Sequence, residues 1–306
     1  MTGSLPSVTA VVATRHRPQE LRRAIHAILA QDYDAPIECV VVFDGAEPED
    51  LSDVAPDAMD RMLTVIRNDR TPGLAGARNA GVARGVGDLI AFCDDDDEWH
   101  PTKLRAQAEV LAATGASVAA GGIEVVYEDR RVVRRHGAPV VTLADLLRSR
   151  TTALHPSTVV VTREAFVGPI GEVDEAIPGS YGEDYEWLLR AAAHGPIAVV
   201  PEPVATIHWG ASFFADRWRT IADAIRYLLR THPELAGDRR NLARLQGRVA
   251  FAHAALGERA EAARWAWRSV RTRPLERRPY LALAVSLGLV SASTVQERAN
   301  RAGRGV

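Results

Sequence analysis

Cysteine is nearly absent from this 306-residue chain, which has only Cys39 and Cys93. Each sits inside an apolar run, so both read as buried thiols, and neither a disulfide framework nor a Cys-x-x-Cys zinc site can be built from them. Net charge is nearly absent too, at -2, which gives no reason to expect nucleic acid as a partner. Long apolar runs are missing: the best, YLALAVSLGLVSASTV at 280–295, is short for a membrane span and broken by serines. The N-terminal MTGSLPSVTAVVATRHRP has no basic segment before its apolar stretch and does not read as a signal peptide. What these absences leave is the expectation of a cytoplasmic enzyme.

Hydrophobic residues at 47% and charged residues at 25% describe an ordinary globular chain, long enough for two domains or one large domain with an appendage. VTAVVAT at 8–14, IECVVVFDG at 37–45, MLTVIRN at 62–68 and DLIAFC at 88–93 read as buried strands. A helix with Leu21, Ile25, Ile28 and Leu29 on one face follows the first, and GLAGARNAGVARGV at 73–86 reads as a small-residue helix. Strands alternating with helices predict an α/β fold with a mostly parallel wound sheet. PTKLRAQAEVLAATG adds a helix with Pro101 in its first turn and Gly115 at its end. Region 117–180 alternates short strand-like pieces with turns, predicting a mixed part that forms the other wall of a cleft. From about 213 the chain turns helical and rich in Ala and Arg, and RVAFAHAALGERAEAARWAWRSVRTRP has the pattern of one helix–turn–helix pair. The predicted division is 1–212, with halves 1–110 and 111–212, followed by a helical region, 213–306.

Four consecutive carboxylates, Asp94 to Asp97, stand directly after the strand DLIAFC. Stacked acids repel one another, and hard divalent cations such as Mg²⁺ or Mn²⁺ prefer carboxylate oxygens. In open α/β sheets, ligands bind beyond the carboxyl ends of strands, where this run falls. A solvated acidic turn leading into the next helix is the plainer reading. Alternation along a strand would aim Asp94 and Asp96 one way, with Asp97 capping the following helix.

TAVVATRHRPQELRRAI, VVFDG, GLAGARNAG, FCDDDDEW and GEDYEWLLR, in that order and spacing, resemble the family-2 glycosyltransferases, nucleotide-sugar transferases of the GT-A type. The resemblance covers roughly 8–210 and leaves the helical tail outside. It implies a GT-A-like sheet, a divalent cation (Mn²⁺ or Mg²⁺), and a nucleotide-diphosphate sugar donor, UDP- or dTDP-linked. In the family's terms, Asp96 ligates the metal, with Asp94 and Asp95 near ribose or metal-bound water. The family has a small residue where this chain has Asp95, which blurs the assignment. Asp44 would hold the nucleobase, Thr14 and Arg15 would line the nucleotide pocket, and Arg78 with Asn79 would lie near the donor. Asp184 falls at the general-base position and His208 at that of a late metal ligand. His155, Trp99 and Glu183 are candidate contacts to donor or acceptor.

Each residue has a plainer role as well. Asp44 could be a turn residue before Gly45, Arg15 an exposed loop charge and Arg78 a helix-start partner of the acidic run. Acids at a helix start, Glu183 and Asp184 among them, are stabilised by the helix dipole. On a helix these two point about 100° apart, so only one should reach the acceptor. Trp99 could be packing, and His155 and His208 could be core or turn histidines.

The function implied is metal-dependent, inverting glycosyl transfer to an acceptor hydroxyl on a glycan, a lipid-linked molecule or a small molecule. A non-catalytic nucleotide-sugar-binding protein with a partner-binding tail is the alternative. Arg264, Arg268, Arg271, Arg273, Arg277 and Arg278 precede the apolar 280–295 segment. That combination suits peripheral docking on an anionic inner membrane face, with a buried last helix or a homodimer contact as the plainer readings.

Overall fold

An unbroken apolar and β-branched run makes Val8–Thr14 (β1) a strand buried along its whole length. It lies at the centre of a parallel set with Ile37–Phe43 (β2), Arg61–Arg67 (β3) and Leu89–Asp94 (β4). Val8 pairs with Ile37 on one side and Leu89 on the other, so β1, β2 and β4 end at the same edge. The helix Pro18–Leu29 (α1) lays Leu21, Ala24, Ile25 and Ile28 into this core and leaves Leu29 half-buried. Full burial of Leu21, Ile25 and Ile28 contributes about 1.5–3 kcal/mol each. The computed structural model describes residues 4–127, 130–150, 154–209 and 217–301.

Small residues let the helix Leu74–Arg84 (α2) sit close to the sheet. A Cβ on Gly81 would come 2.4 Å from a Val11 methyl, and one on Gly76 would come 1.9 Å from the Thr71 carbonyl oxygen. Beyond β4 the chain forms Glu98–Trp99 (β5), then the helix Lys103–Thr114 (α3), closed by Gly115 in the left-handed conformation. Next come Val118–Tyr127 (β6), Arg130–Arg134 (β7), Val140–Val141 (β8), the helix Leu143–Arg148 (α4), Val160–Thr162 (β9), Arg163–Val167 (α5), Glu183–His194 (α6) and Ile197–His208 (β10). The path through the sheet runs β3-β2-β1-β4-β9-β6-β10-β5. β9 is antiparallel to β4 and β6, so the sheet is mixed in this half, as the sequence predicts. Cys39 and Cys93 are buried free thiols.

The remaining elements are helical: Trp218–Thr231 (α7), Arg239–Ala255 (α8), Arg259–Thr272 (α9), Arg278–Ser286 (α10) and Ala292–Arg301 (α11). Their core is alanine-rich, with Ala250, Ala254, Ala262, Ala266 and Ala282 around Phe251. Trp218 meets Phe251 edge-on at 5.5 Å. Gly247 on α8 lets Arg278 and Pro279 approach closely, since a Cβ there would come 2.8 Å from Arg278 Cβ. The apolar 280–295 stretch is not one helix but two, divided near Gly288 at φ 75°. Among the described residues no helix is long and apolar enough to cross a membrane.

The chain divides into two compact units. One comprises Met1–Leu146, Arg150–Glu175 and Glu183–Gly210; the other comprises Leu147–Ser149, Ala176–Gly182 and Ala211–Val306. The boundary expected between 212 and 213 lies outside the described residues.

Candidate active site

Strand β4 gives out at Asp94, and the Asp97 amide turns back to donate to the Asp94 carbonyl at 3.1 Å. Strand alternation therefore stops, and the acidic run does not pair Asp94 with Asp96. Instead Asp95 and Asp96 face Arg17, whose guanidinium reaches Asp95 at 3.0 Å and also Asp96. Asp95 further accepts from the Thr14 hydroxyl at 2.8 Å, linking the ends of β1 and β4. Asp97 does not cap α3, which starts only at Lys103; it turns inward and accepts from the Ser157 hydroxyl at 2.5 Å. The same hydroxyl accepts the Asp94 amide at 3.0 Å.

His155 stands over this turn, with Nδ1 3.3 Å from Asp97 and Nε2 3.8 Å from Asp94. One ligand atom from each of Asp94, Asp97 and His155 can lie within 4.8 Å of the others. Burial and the neighbouring Asp94 charge push the Asp97 carboxyl well up and the Asp96 carboxyl up to about 6. Burial also lowers the His155 pKa, favouring the neutral imidazole that can ligate. Two carboxylates and an imidazole fit a cation such as Mn²⁺ or Mg²⁺.

From the other side comes Arg78 on α2, 4% exposed. It donates to Asp94 at 2.8 Å and pairs with Glu183, itself 4% exposed. Burial opposes the Arg78 charge, but Glu183, Asp94 and Asp184 outweigh it and hold its pKa above the ordinary value. Glu183 and Asp184 open α6, and they face different partners, as their angular separation requires. Burial raises the Glu183 carboxyl more than Arg78 lowers it. For Asp184 burial is overcome by Arg150 and Arg78, and the carboxyl lies below the usual range. Two adjacent acids are thereby pushed in opposite directions.

The other predicted residues take these positions. Asp44 directly follows β2 and accepts from Asn68 at 2.8 Å and from the Gly73 amide at 3.1 Å, bracing the loop into α2. The Arg15 guanidinium lies over Gly45, 3.6 Å from where a Cβ would stand. Asn79 is occupied by the Val173 backbone and by Glu175. Trp99 is 3% exposed with the Lys103 ammonium 4.2 Å from its ring centroid, so in this structure it is a packing residue with no open face for a sugar. The His208 imidazole is 2.9 Å from Glu98 and is not a member of the Asp94–Asp97–His155 group. Sequence reasoning missed Ser157 and Arg150. Neither belongs to a motif, and Ser157 is 60 residues from the carboxylate it serves.

Residues 9–166 match the family model described as glycosyl transferase family 2. Succinoglycan biosynthesis protein ExoO of Rhizobium meliloti is 36% identical over 216 residues, 66% of this chain and 60% of that protein. The chain therefore spans less than two thirds of ExoO. Amylovoran biosynthesis glycosyltransferase AmsE of Erwinia amylovora is 24% identical over 226 residues, covering 72% of this chain and 83% of that one. Among solved structures, S. aureus TarS 1–349 with UDP-GlcNAc superposes with a TM-score of 0.66 at 17% identity, covering 97% of this chain and 92% of that one. The Pyrobaculum calidifontis mannosyltransferase PcManGT with GDP-Man and Mn²⁺ gives 0.55 at 18% identity, covering 96% and 87%. The GT-A-like fold read from the sequence is the fold found.

Proposed function

Since the chain belongs to glycosyl transferase family 2, we propose that it is a glycosyltransferase moving a sugar from a nucleotide-diphosphate donor to an acceptor hydroxyl with inversion, using Asp184 as general base. The observation that carries this reading is the meeting of the acidic run with the start of α6 through one buried arginine, Arg78. Donor-binding and proton-accepting groups are thereby tied into one network.

In the proposed step the acceptor hydroxyl gives its proton to Asp184 as its oxygen attacks the anomeric carbon. The bond from that carbon to the diphosphate oxygen breaks, and the electron pair leaves with the diphosphate. Arg150 keeps the Asp184 carboxylate ionised and fixes its direction, while Glu183 is spent on holding Arg78. Asp94, Asp97 and His155 form the donor set for a divalent cation; the family resemblance adds Asp96 and His208. When bound, such a cation offsets the charge that develops on the departing diphosphate. UDP or dTDP is the nucleotide we propose, with Asp44, Thr14 and Arg15 at its pocket. TarS, solved with UDP and with UDP-GlcNAc, supports a uridine donor by analogy of fold.

The tail bears Trp267, Leu275, Tyr280 and Leu281 exposed among the arginines. We propose that this surface meets an anionic membrane, consistent with a lipid-linked acceptor. Turnover in the Asp184→Asn variant is the direct test of the function. A fall of about 10²–10⁴-fold with donor binding kept supports a base, since a positioned base contributes that much. No turnover by the unaltered protein, with donor still bound, would favour the non-catalytic alternative.

A further inference from the structure

The helical unit carries a cavity of about 510 Å³ whose wall is built mainly from cations. Arg219 and Arg226 come from α7, His253 from α8, and Arg259 and Arg264 from the first turns of α9. Only two carboxylates, Glu258 and Glu261, share the wall. Glu258 is committed: it pairs with Arg219 and lies 2.7 Å from His253 Nδ1. Arg219 beside it holds its carboxyl below the ordinary range. Glu261 pairs with Arg264 at 2.9 Å, whereas Arg259 has no ion-pair partner among the described residues.

Two features of this wall are unexplained by folding alone. His253 is 1% exposed, yet its Nε2 has no hydrogen-bond partner among the described residues. Nδ1 is engaged with Glu258, so Nε2 is the ring atom left without a partner. Further, α9 opens on Glu258 and Arg259, and its acids leave the first-turn amides uncapped. Its first-turn amides at Ala260 and Glu261 donate to no acceptor among the described residues, and Glu258 makes no side-chain cap. Guanidiniums and the open amides of a helix start lining one cavity are the donor types that phosphate oxygens take.

We propose that this cavity binds the phosphate group of an organic phosphate, at a site separate from the residues assigned to sugar transfer. Its volume is in the range of small-molecule sites and exceeds what a bare phosphate fills. The phosphate could reach it as a soluble molecule or as a lipid headgroup; the chemistry recognised is the same.

The test uses the full chain and the double variant Arg226→Gln with Arg259→Gln, both exposed side chains. Inorganic pyrophosphate is titrated calorimetrically with a metal chelator present. Co-sedimentation with phosphatidylcholine vesicles, with and without phosphatidylglycerol, is measured in parallel. The unaltered chain is expected to bind at least one probe, and the glutamine variant about tenfold more weakly per arginine lost. Lysine at both positions should restore part of the binding, because it keeps the charge and loses the fork. Pyrophosphate binding alone identifies a soluble phosphate, and vesicle binding alone identifies a headgroup. No binding of either probe, or equal binding by the glutamine variant, overturns the site. UDP titration of the same proteins reports separately on the nucleotide site, so failure of one reading is not mistaken for failure of the other.

Discussion

Both units of the chain are rich in ion pairs, but they bury them differently. In the sheet unit Arg78, Glu183 and Asp97 have side chains 5%, 5% and 2% exposed. In the helical unit Arg219 and Arg264 are 53% and 60% exposed while engaged with glutamates. Buried ions lose their hydration and are held only by attraction to their partners, so removing one strands the other; exposed pairs are screened by water and contribute little. The first arrangement fixes geometry and shifts proton affinity, which is what transfer chemistry needs. The second leaves guanidiniums available to an incoming anion.

The sharpest way to break this contrast is Arg78→Ala. It leaves Glu183 and Asp94 without their buried cation, and urea unfolding should show a loss of about 3–5 kcal/mol. Arg264→Ala in the helical unit should change stability by about 0.5 kcal/mol or less in the same assay. A similar loss in both variants would erase the distinction. Within the acidic run, the structure and the family resemblance favour different metal ligands. His155→Ala should weaken Mn²⁺ binding about tenfold or more if Asp94, Asp97 and His155 are the donor set. Asp96→Asn having the larger effect would return the role to Asp96.

A smaller effect concerns Lys103, fully buried, its ammonium against Trp99 and 2.6 Å from Gln107 Oε1. Burial lowers its pKa to about 7 from an ordinary value of 10.5. The unfolded chain therefore binds more protons between those two values, and stability should rise with pH across that window. The slope from this group is at most about 1.4 kcal/mol per pH unit. Urea midpoints against pH should show the rise, and Lys103→Met should flatten it. An unchanged slope would mean that Lys103 is not its source.

The sheet was legible because β1, β2 and β4 are apolar runs that end at turns, and because α1 repeats its apolar residues at helical spacing. The acidic run and the start of α6 were legible because several unusual residues fall close together in sequence. How the run folds was not. Its split into Asp94 with Asp97, and Asp95 with Asp96, follows from a turn whose acceptor and donor partners, Ser157 and Arg17, lie far off along the chain. For Trp99 the sequence leaves sugar contact and packing equally open, because aromatic exposure cannot be read from it, and the cation that covers the ring is a lysine on the next helix. The cavity in the helical unit was invisible for a similar reason. Arginines at 219, 226, 259 and 264 have no shared motif, and only the packing of α7, α8 and α9 makes them neighbours.

The most direct measurement is calorimetric titration of UDP, dTDP and GDP into the purified protein, with Mn²⁺ and with excess chelator. Binding of UDP or dTDP that requires Mn²⁺, retained in Asp184→Asn while turnover is lost, is the result expected of a cation-assisted transferase with Asp184 as base. Nucleotide binding of equal strength in chelator, or full turnover in Asp184→Asn, would contradict it.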